Sequence, residues 1–277
     1  MKIDSHQHFW NYNGTEYVWI NDEMKVIRRD FMPGDLKEEL LLTGFDGSVA
    51  VQARQSLQET EWLLKLSDDS EIIKGVVGWA DLRSSELEKQ LDTYASHSRF
   101  VGVRHVIQDE PDDNFILGEP FQNGIKKLKK YNLTFDILIF PKHLPNTIKF
   151  VSKFPGQTFV LDHIAKPLIK DHKISPWKEG INELSKFSNV YCKASGMVTE
   201  ADWYSWQKKD FRPYLDIIFN AFGTDRVMIG SDWPVCKLAG EYQEIMNLVS
   251  DYINDFSDHE KNAILGGNAI KAYKLKI

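Results

Sequence analysis

Residues 226–233 read RVMIGSDW. The run is short, apolar as far as Ile229, and closes on the polar pair Ser231-Asp232. It is the eighth of its kind. KIDSHQH (2–8), DGSVAVQA (46–53), IIKGVVGWA (72–80), FVGVRHVI (100–107), TFDILIF (134–140), QTFVLDHIA (157–165) and NVYCKASG (189–196) precede it. Each is rich in Val, Ile or Phe and almost continuously apolar, the pattern of a strand buried on both faces. Amphipathic stretches lie between them. PGDLKEELLLTG (33–44) puts Pro33 at a helix start and Gly44 at its end. SLQETEWLLKLSDD (56–69) opens with Ser56 and Glu59 at capping-box spacing. Such alternation predicts parallel βαβ units joined by right-handed crossovers. An open doubly wound sheet and a closed barrel both satisfy it. No G-x-G-x-x-G follows the first run and no P-loop occurs, so the usual nucleotide signatures of the open sheet are missing. Eight units in 277 residues then favour the barrel. The expected fold class is α/β, a (β/α)₈ TIM barrel forming a single domain over residues 1–277. The longest interruption, FWNYNGTEYVWINDEMKVIRRDFM (9–32), is aromatic-rich and is expected to fold over the barrel mouth as a lid.

Composition narrows the function classes. The chain is 42% hydrophobic and 27% charged, an ordinary globular balance that supports a sizeable core. A formal net charge of −6 without a long basic run argues against nucleic acid or an anionic membrane surface as partner. KKLKK (126–130), the densest basic patch, reads as a solvated helix face. No apolar run is long enough to span a bilayer. Met1-Lys2 leads straight into Ile3-Asp4-Ser5-His6 without the apolar segment of a signal peptide. Two cysteines, Cys192 and Cys236, are too few for a disulfide framework and read as packing residues. A cytoplasmic setting is expected. The expected partner is a small molecule; a homo-oligomer is left open.

Active sites of such barrels gather at the C-terminal ends of the strands. Polar residues stand at nearly all of those ends here. Asp4, His6 and His8 share one parity on strand one, so both imidazoles are expected on one side. Strand two ends in Gln52 and Arg54, strand three in Trp79 and Asp81, strand six in Asp162-His163 with Lys166 beyond, and strand eight in Asp232-Trp233. Arg104 and His105 on strand four face opposite ways, and the sequence does not say which points inward. Lys193 and Ser195 lie on strand seven; Lys166 and Lys193 read more as partners of acids than as substrate groups. Strands one and eight are neighbours in a closed barrel. His6, His8 and Asp232 thus form a ligand set of imidazole nitrogens and a carboxylate oxygen suited to one divalent ion, zinc above others. The same Asp serves equally as a general base without metal.

DSHQHFW, VQAR, GWADL, GVRH, LDHIAKP, ASG, IGSDWPVC and GGNAIKAY, in that order from end to end, resemble the amidohydrolase superfamily, in the amidohydrolase-2 branch that holds sugar-acid lactonases. The resemblance implies a (β/α)₈ barrel with His6, His8, His163 and Asp232 in the active site. It also implies hydrolysis of a sugar-acid lactone. Asp232 would take a proton from water, and His163, with His6 and His8 or a metal they hold, would polarise the carbonyl. Arg54 and Arg104 would bind hydroxyls or a carboxylate, and Gln52, Trp79 and Trp233 would shape a sugar pocket. Strand four lacks a bridging Lys or Glu, and strand five, FDILIF, lacks a His, so a two-metal centre is not expected. One divalent ion and none are the two open readings. Two other functions compete: decarboxylation of a small aromatic acid on the same barrel, and a catalytically inactive ligand-binding barrel.

Overall fold

A computed structural model describes residues 1–277. Eight parallel strands follow one another in sequence order: β1 (Ile3–Gln7), β2 (Gly47–Val51), β3 (Ile73–Gly78), β4 (Phe100–Val106), β5 (Thr134–Leu138), β6 (Phe159–Leu161), β7 (Val190–Ala194) and β8 (Val227–Ile229). The seam between β8 and β1 is stitched just beyond the strand ends. Asp232 N donates to His6 O at 2.8 Å and His8 N to Trp233 O at 2.7 Å, around a parallel bridge between Gln7 and Trp233. The barrel is thereby nearly closed, and its first and last strands lie side by side.

Helices alternate with the strands on the outside: α1 (Pro33–Thr43), α2 (Leu57–Asp69), α3 (Leu87–Tyr94), α4 (Glu119–Leu128), α5 (Leu144–Val151), α6 (Trp177–Leu184), α7 (Lys208–Phe222) and α8 (Tyr242–Tyr252). The short helices α9 (Asp258–Asn262) and α10 (Asn268–Tyr273) end the chain. None is long and apolar enough to cross a membrane. Helix α1 starts on Pro33 and stops at Gly44, which takes the left-handed conformation at φ 72°. Ser56 caps α2 by accepting from Glu59 N. Only that half of the expected capping box forms. The Glu59 carboxylate turns instead to the β2–α2 loop, where it accepts from Ala53 N and Arg54 N at 3.0 and 2.9 Å.

The main core lies between strands and helices, filled by outward-facing strand residues such as Ala50, Val76, Val103, Ile137 and Ile229. A second apolar cluster joins Val49, Val51, Val77, Val160 and Met228 to Ala272, Tyr273 and Leu275 from the chain's last turn. That cluster floors the barrel. Both cysteines are buried and free. The 9–32 insertion is pinned at its base by Trp10 and Phe31, which exchange backbone hydrogen bonds of 3.1 and 2.9 Å. It carries one short 3₁₀ segment, Asp22–Ile27.

Candidate active site

The seam sets the first part of the site. His6 Nε2 and His8 Nε2 lie 3.2 Å apart. Asp232 Oδ1 is 3.3 Å from the second and 3.8 Å from the first. Val51 O can only accept, so His8 carries its proton on Nδ1, 2.7 Å from that oxygen, and presents a bare Nε2. His6 has two arrangements. With its proton on Nδ1, toward Asp162 Oδ1 at 3.3 Å, its bare Nε2 accepts from Arg104 Nη1 at 3.3 Å and, with His8 Nε2 and Asp232 Oδ1, makes a set of three lone-pair atoms able to hold a cation. Tetrahedral zinc with bonds of about 2.0–2.1 Å sets its ligand atoms about 3.3 Å apart, matching the 3.2 and 3.3 Å edges and lying about 0.5 Å from the 3.8 Å one, so the donor set fits the ion after a small adjustment. With the proton on Nε2, His6 donates to His8 and accepts from Lys193 at Nδ1, but its N–H then faces an N–H of Arg104. Burial, reinforced by Lys193, holds the His6 imidazole well below its ordinary pKa, and burial also lowers His8 against the pull of Asp232. Asp4 does not join them. The β1–β2 register shifts between Asp4 and Gln7, and Asp4 bonds Ser231 and, at 3.1 Å, Tyr242 of α8.

The second part comes from β6 and β7. Strand β6 stops at Leu161, and the chain then takes a left-handed turn in which His163, Ile164, Ala165 and Lys166 have φ of 52°, 49°, 60° and 49°. Each such residue costs on the order of 1–2 kcal/mol, so the turn persists only because its surroundings hold it. Trp177 Nε1 donates to Ile164 O at 2.7 Å, and Ser195 Oγ lies 2.9 Å from His163 Nδ1. Gly196 (φ 60°) packs so close that a Cβ there would stand 2.3 Å from His163 Nδ1. The turn brings His163 Nε2 to 3.7 Å from Asp232 Oδ1, and Asp232 is itself left-handed at φ 59°. Burial pushes the Asp232 carboxyl up; His163, His8 and Lys166 pull it down, and the balance lies below the usual carboxylate range.

Beneath these residues lies a buried ionic layer. Lys193 Nζ sits 2.6 Å from Asp136 Oδ2, 2.9 Å from Asp162 Oδ1 and 3.1 Å from His6 Nδ1. Arg104 Nη1 is 3.1 Å from Asp162 Oδ2 and 3.3 Å from His6 Nε2, and its Nη2 donates to Gln52 O. Tyr273 OH donates to Asp136 at 2.7 Å from α10. Two carboxylates and two cations balance here, as buried charges must. Burial raises Asp136 to about 6, while Lys193 and Arg104 outweigh burial at Asp162 and keep it low. Lys193 is thus the acid partner the sequence suggested. The role of Asp136 was missed, although its alternation with outward Phe135 and Ile137 marks it as inward-facing.

Above the cluster opens a cavity of about 340 Å³. His8, His163, Asp232, Arg104, Arg54 and Lys166 form its polar wall, and Val106, Leu138 and Val235 its apolar one. The 9–32 insertion adds Glu16, Val18 and Trp19, which sequence reasoning did not single out. Glu16 holds Arg54 at 2.7 Å, and Tyr17 OH reaches Glu59 at 3.3 Å. Three expected pocket residues do not line this cavity. Gln52 is fully buried and receives Arg104. Trp79 turns its Nε1 to His105, 3.4 Å away, on the outer side of β4, which leaves Arg104 as the inward residue of that pair. Trp233 packs edge-on against Phe9 and Phe31, because β8 ends at Ile229 and strand alternation does not reach it.

A (β/α)₈ barrel with paired strand-one histidines, a strand-six histidine and a strand-eight aspartate defines a class, and this chain belongs to the amidohydrolase family, whose profile matches residues 3–275. Among curated relatives it is 37% identical to an L-fucono-1,5-lactonase of Burkholderia multivorans, across 99% of this chain and 96% of the relative. A second L-fucono-1,5-lactonase, from Burkholderia ambifaria, is 33% identical over the same shares, 99% and 96%. A crystal structure of an amidohydrolase from Burkholderia multivorans with bound zinc aligns at a TM-score of 0.96 and 38% identity, covering 100% of both chains.

Proposed function

We propose that this protein is a lactonase, adding water to the carbonyl of a sugar-acid lactone to give the free acid. The observation that carries the reading is the convergence of Asp232 with His8 and His163 at the floor of a small cavity, with His6 buried directly behind them. Full-length likeness to two L-fucono-1,5-lactonases supports it. In this reading Asp232 Oδ1 faces the imidazoles and Oδ2 takes a proton from the attacking water. His163, oriented by Ser195, donates from Nε2 to the carbonyl oxygen as negative charge develops there. Arg54, with Glu16 across from it, meets substrate hydroxyls. Arg104 acts as a positioning residue, since its guanidinium is engaged by Asp162 and Gln52. His6, His8 and Asp232 would hold zinc, which when bound supplies Lewis-acid polarisation and water activation. Gln52, Trp79 and Trp233 support the site from behind.

A panel of pentose, hexose and deoxyhexose aldonolactones, headed by L-fucono-1,5-lactone and read by acid release, tests the proposal. Asp232→Asn is expected to abolish turnover while the thermal melt stays within a few degrees of the parent. A fully active Asn variant would refute the base assignment. Carbon dioxide released from a dihydroxybenzoate, with no acid released from any lactone, would move the assignment to decarboxylation.

A further inference from the structure

We propose that Lys166 is a catalytic residue, its ammonium meeting the negative charge that lactone opening creates: first on the carbonyl oxygen, then on the product carboxylate. This rests on the lactonase reading above. Three cationic side chains line the cavity, Arg54, Arg104 and Lys166. Two are committed. Glu16 holds Arg54 at 2.7 Å, and Asp162 holds Arg104 at 3.1 Å while Gln52 O takes its other amino group. Lys166 has Glu200 as its acid, at 3.5 Å, longer than the roughly 2.7–2.9 Å of a strong charge-assisted hydrogen bond. Its other neighbour is the face of Phe140, 5.7 Å from Nζ to the ring centroid, which offers no lone pair. The Lys166 and Glu200 side chains are only 18% and 17% exposed, so water does little to screen the ammonium.

Placement adds to this. The left-handed turn that delivers His163 to Asp232 ends on Lys166, whose N–H donates back to His163 O at 2.8 Å. One strained unit therefore carries both side chains to the same cavity, and the surroundings that hold it hold both. The reaction needs such a cation. Water oxygen bonds to the carbonyl carbon, the ring C–O bond breaks, the ring oxygen leaves as a hydroxyl, and the new acid releases one proton. A neutral substrate becomes an anion beside the carboxylate of Asp232, and without a counter-charge the two would repel.

The test compares the neutral lactone that the wild type turns over with its own sugar acid, used as product inhibitor, in the wild type, Lys166→Met and Lys166→Arg. Loss of one charge-assisted contact is expected to raise the acid's Ki about 10- to 100-fold in Lys166→Met and to lower kcat by a similar factor. KM for the lactone should stay within about threefold, because that contact is made only as charge appears. Lys166→Arg should recover most of the acid affinity. A rise in Ki matched by an equal rise in KM marks a structural lesion and overturns the assignment, as does a variant in which neither moves. If Lys166→Met fails to fold, Lys166→Gln gives the same ratio. Failure of the wild type to open any lactone would sink the functional reading itself, a result distinct from an active wild type whose Lys166 variants leave the ratio unchanged.

Discussion

Replacing Gly196 by alanine probes the geometry that holds His163. The added Cβ would lie 2.3 Å from His163 Nδ1 and 2.5 Å from Cγ, where ordinary contact begins at 3.4 Å. Relief requires a shift of about 1 Å, and His163 cannot simply rotate away, because Ser195 and the left-handed turn fix its ring and backbone. Overpacking of this kind costs roughly 1–3 kcal/mol, and a left-handed alanine adds about 1 kcal/mol. Together they predict a fall in Tm of roughly 3–7 °C. Displacing a catalytic imidazole by about 1 Å predicts a loss of about 100-fold in kcat. Gly44→Ala separates the two effects. Gly44 is also left-handed, at φ 72°, yet a Cβ there meets nothing within 4 Å. That control should lose about 1 kcal/mol and keep its kcat. Melting curves and steady-state kinetics on both variants decide the matter. Wild-type kcat in Gly196→Ala, or equal damage in Gly44→Ala, would show that the close approach to His163 does not govern the site.

Glu59, 1% exposed beneath the insertion, has its carboxyl pushed up by burial to about 7 from 4.5. A raised carboxyl stabilises the fold fully below the unfolded value, and the contribution drains away as pH climbs through the folded one. Between pH 5 and 8 the wild type should therefore lose about 2 kcal/mol relative to Glu59→Gln, which cannot ionise but can still accept from Ala53 and Arg54. Parallel denaturant curves at the two pH values measure the difference, and superimposable pH profiles would contradict it. Zinc titrated calorimetrically into chelator-treated protein should bind at one equivalent, and His8→Ala should weaken that affinity by about 100-fold or more. Equal binding by the variant would place the ion elsewhere.

Much of this could be read before any coordinates. Eight apolar runs and the parity of residues 6 and 8 led to a barrel and to a meeting of strands one and eight, since both depend on regular periodicity. What escaped was irregular. QTFVLDHIA reads as one strand, yet it breaks after Leu161, because Ile164 and Ala165 carry no local signal for a left-handed backbone. The cause is tertiary: Trp177 pulling on one carbonyl, and Gly196 clearing space. Trp79 and Trp233 were expected in the pocket by position, but aromatic rings follow the nearest apolar surface, and both turned away from the cavity. Glu59 was read as half of a capping box; two unpaired loop amides claimed it instead. Glu16 and Trp19 sit in the insertion, where no repeating pattern tells which side chains look down.

The buried ionic layer divides the barrel's labour. Arg104, Asp136, Asp162 and Lys193 are balanced among themselves between the apolar floor and the histidines, with only Arg104 reaching the cavity wall, so they pose the imidazoles whatever molecule sits above. The rim, built from the insertion and the loops after β2, β4, β6 and β8, touches the guest and owes nothing to that balance. Redesign toward another guest can rework the rim residue by residue, whereas altering one member of the inner quartet unbalances the other three.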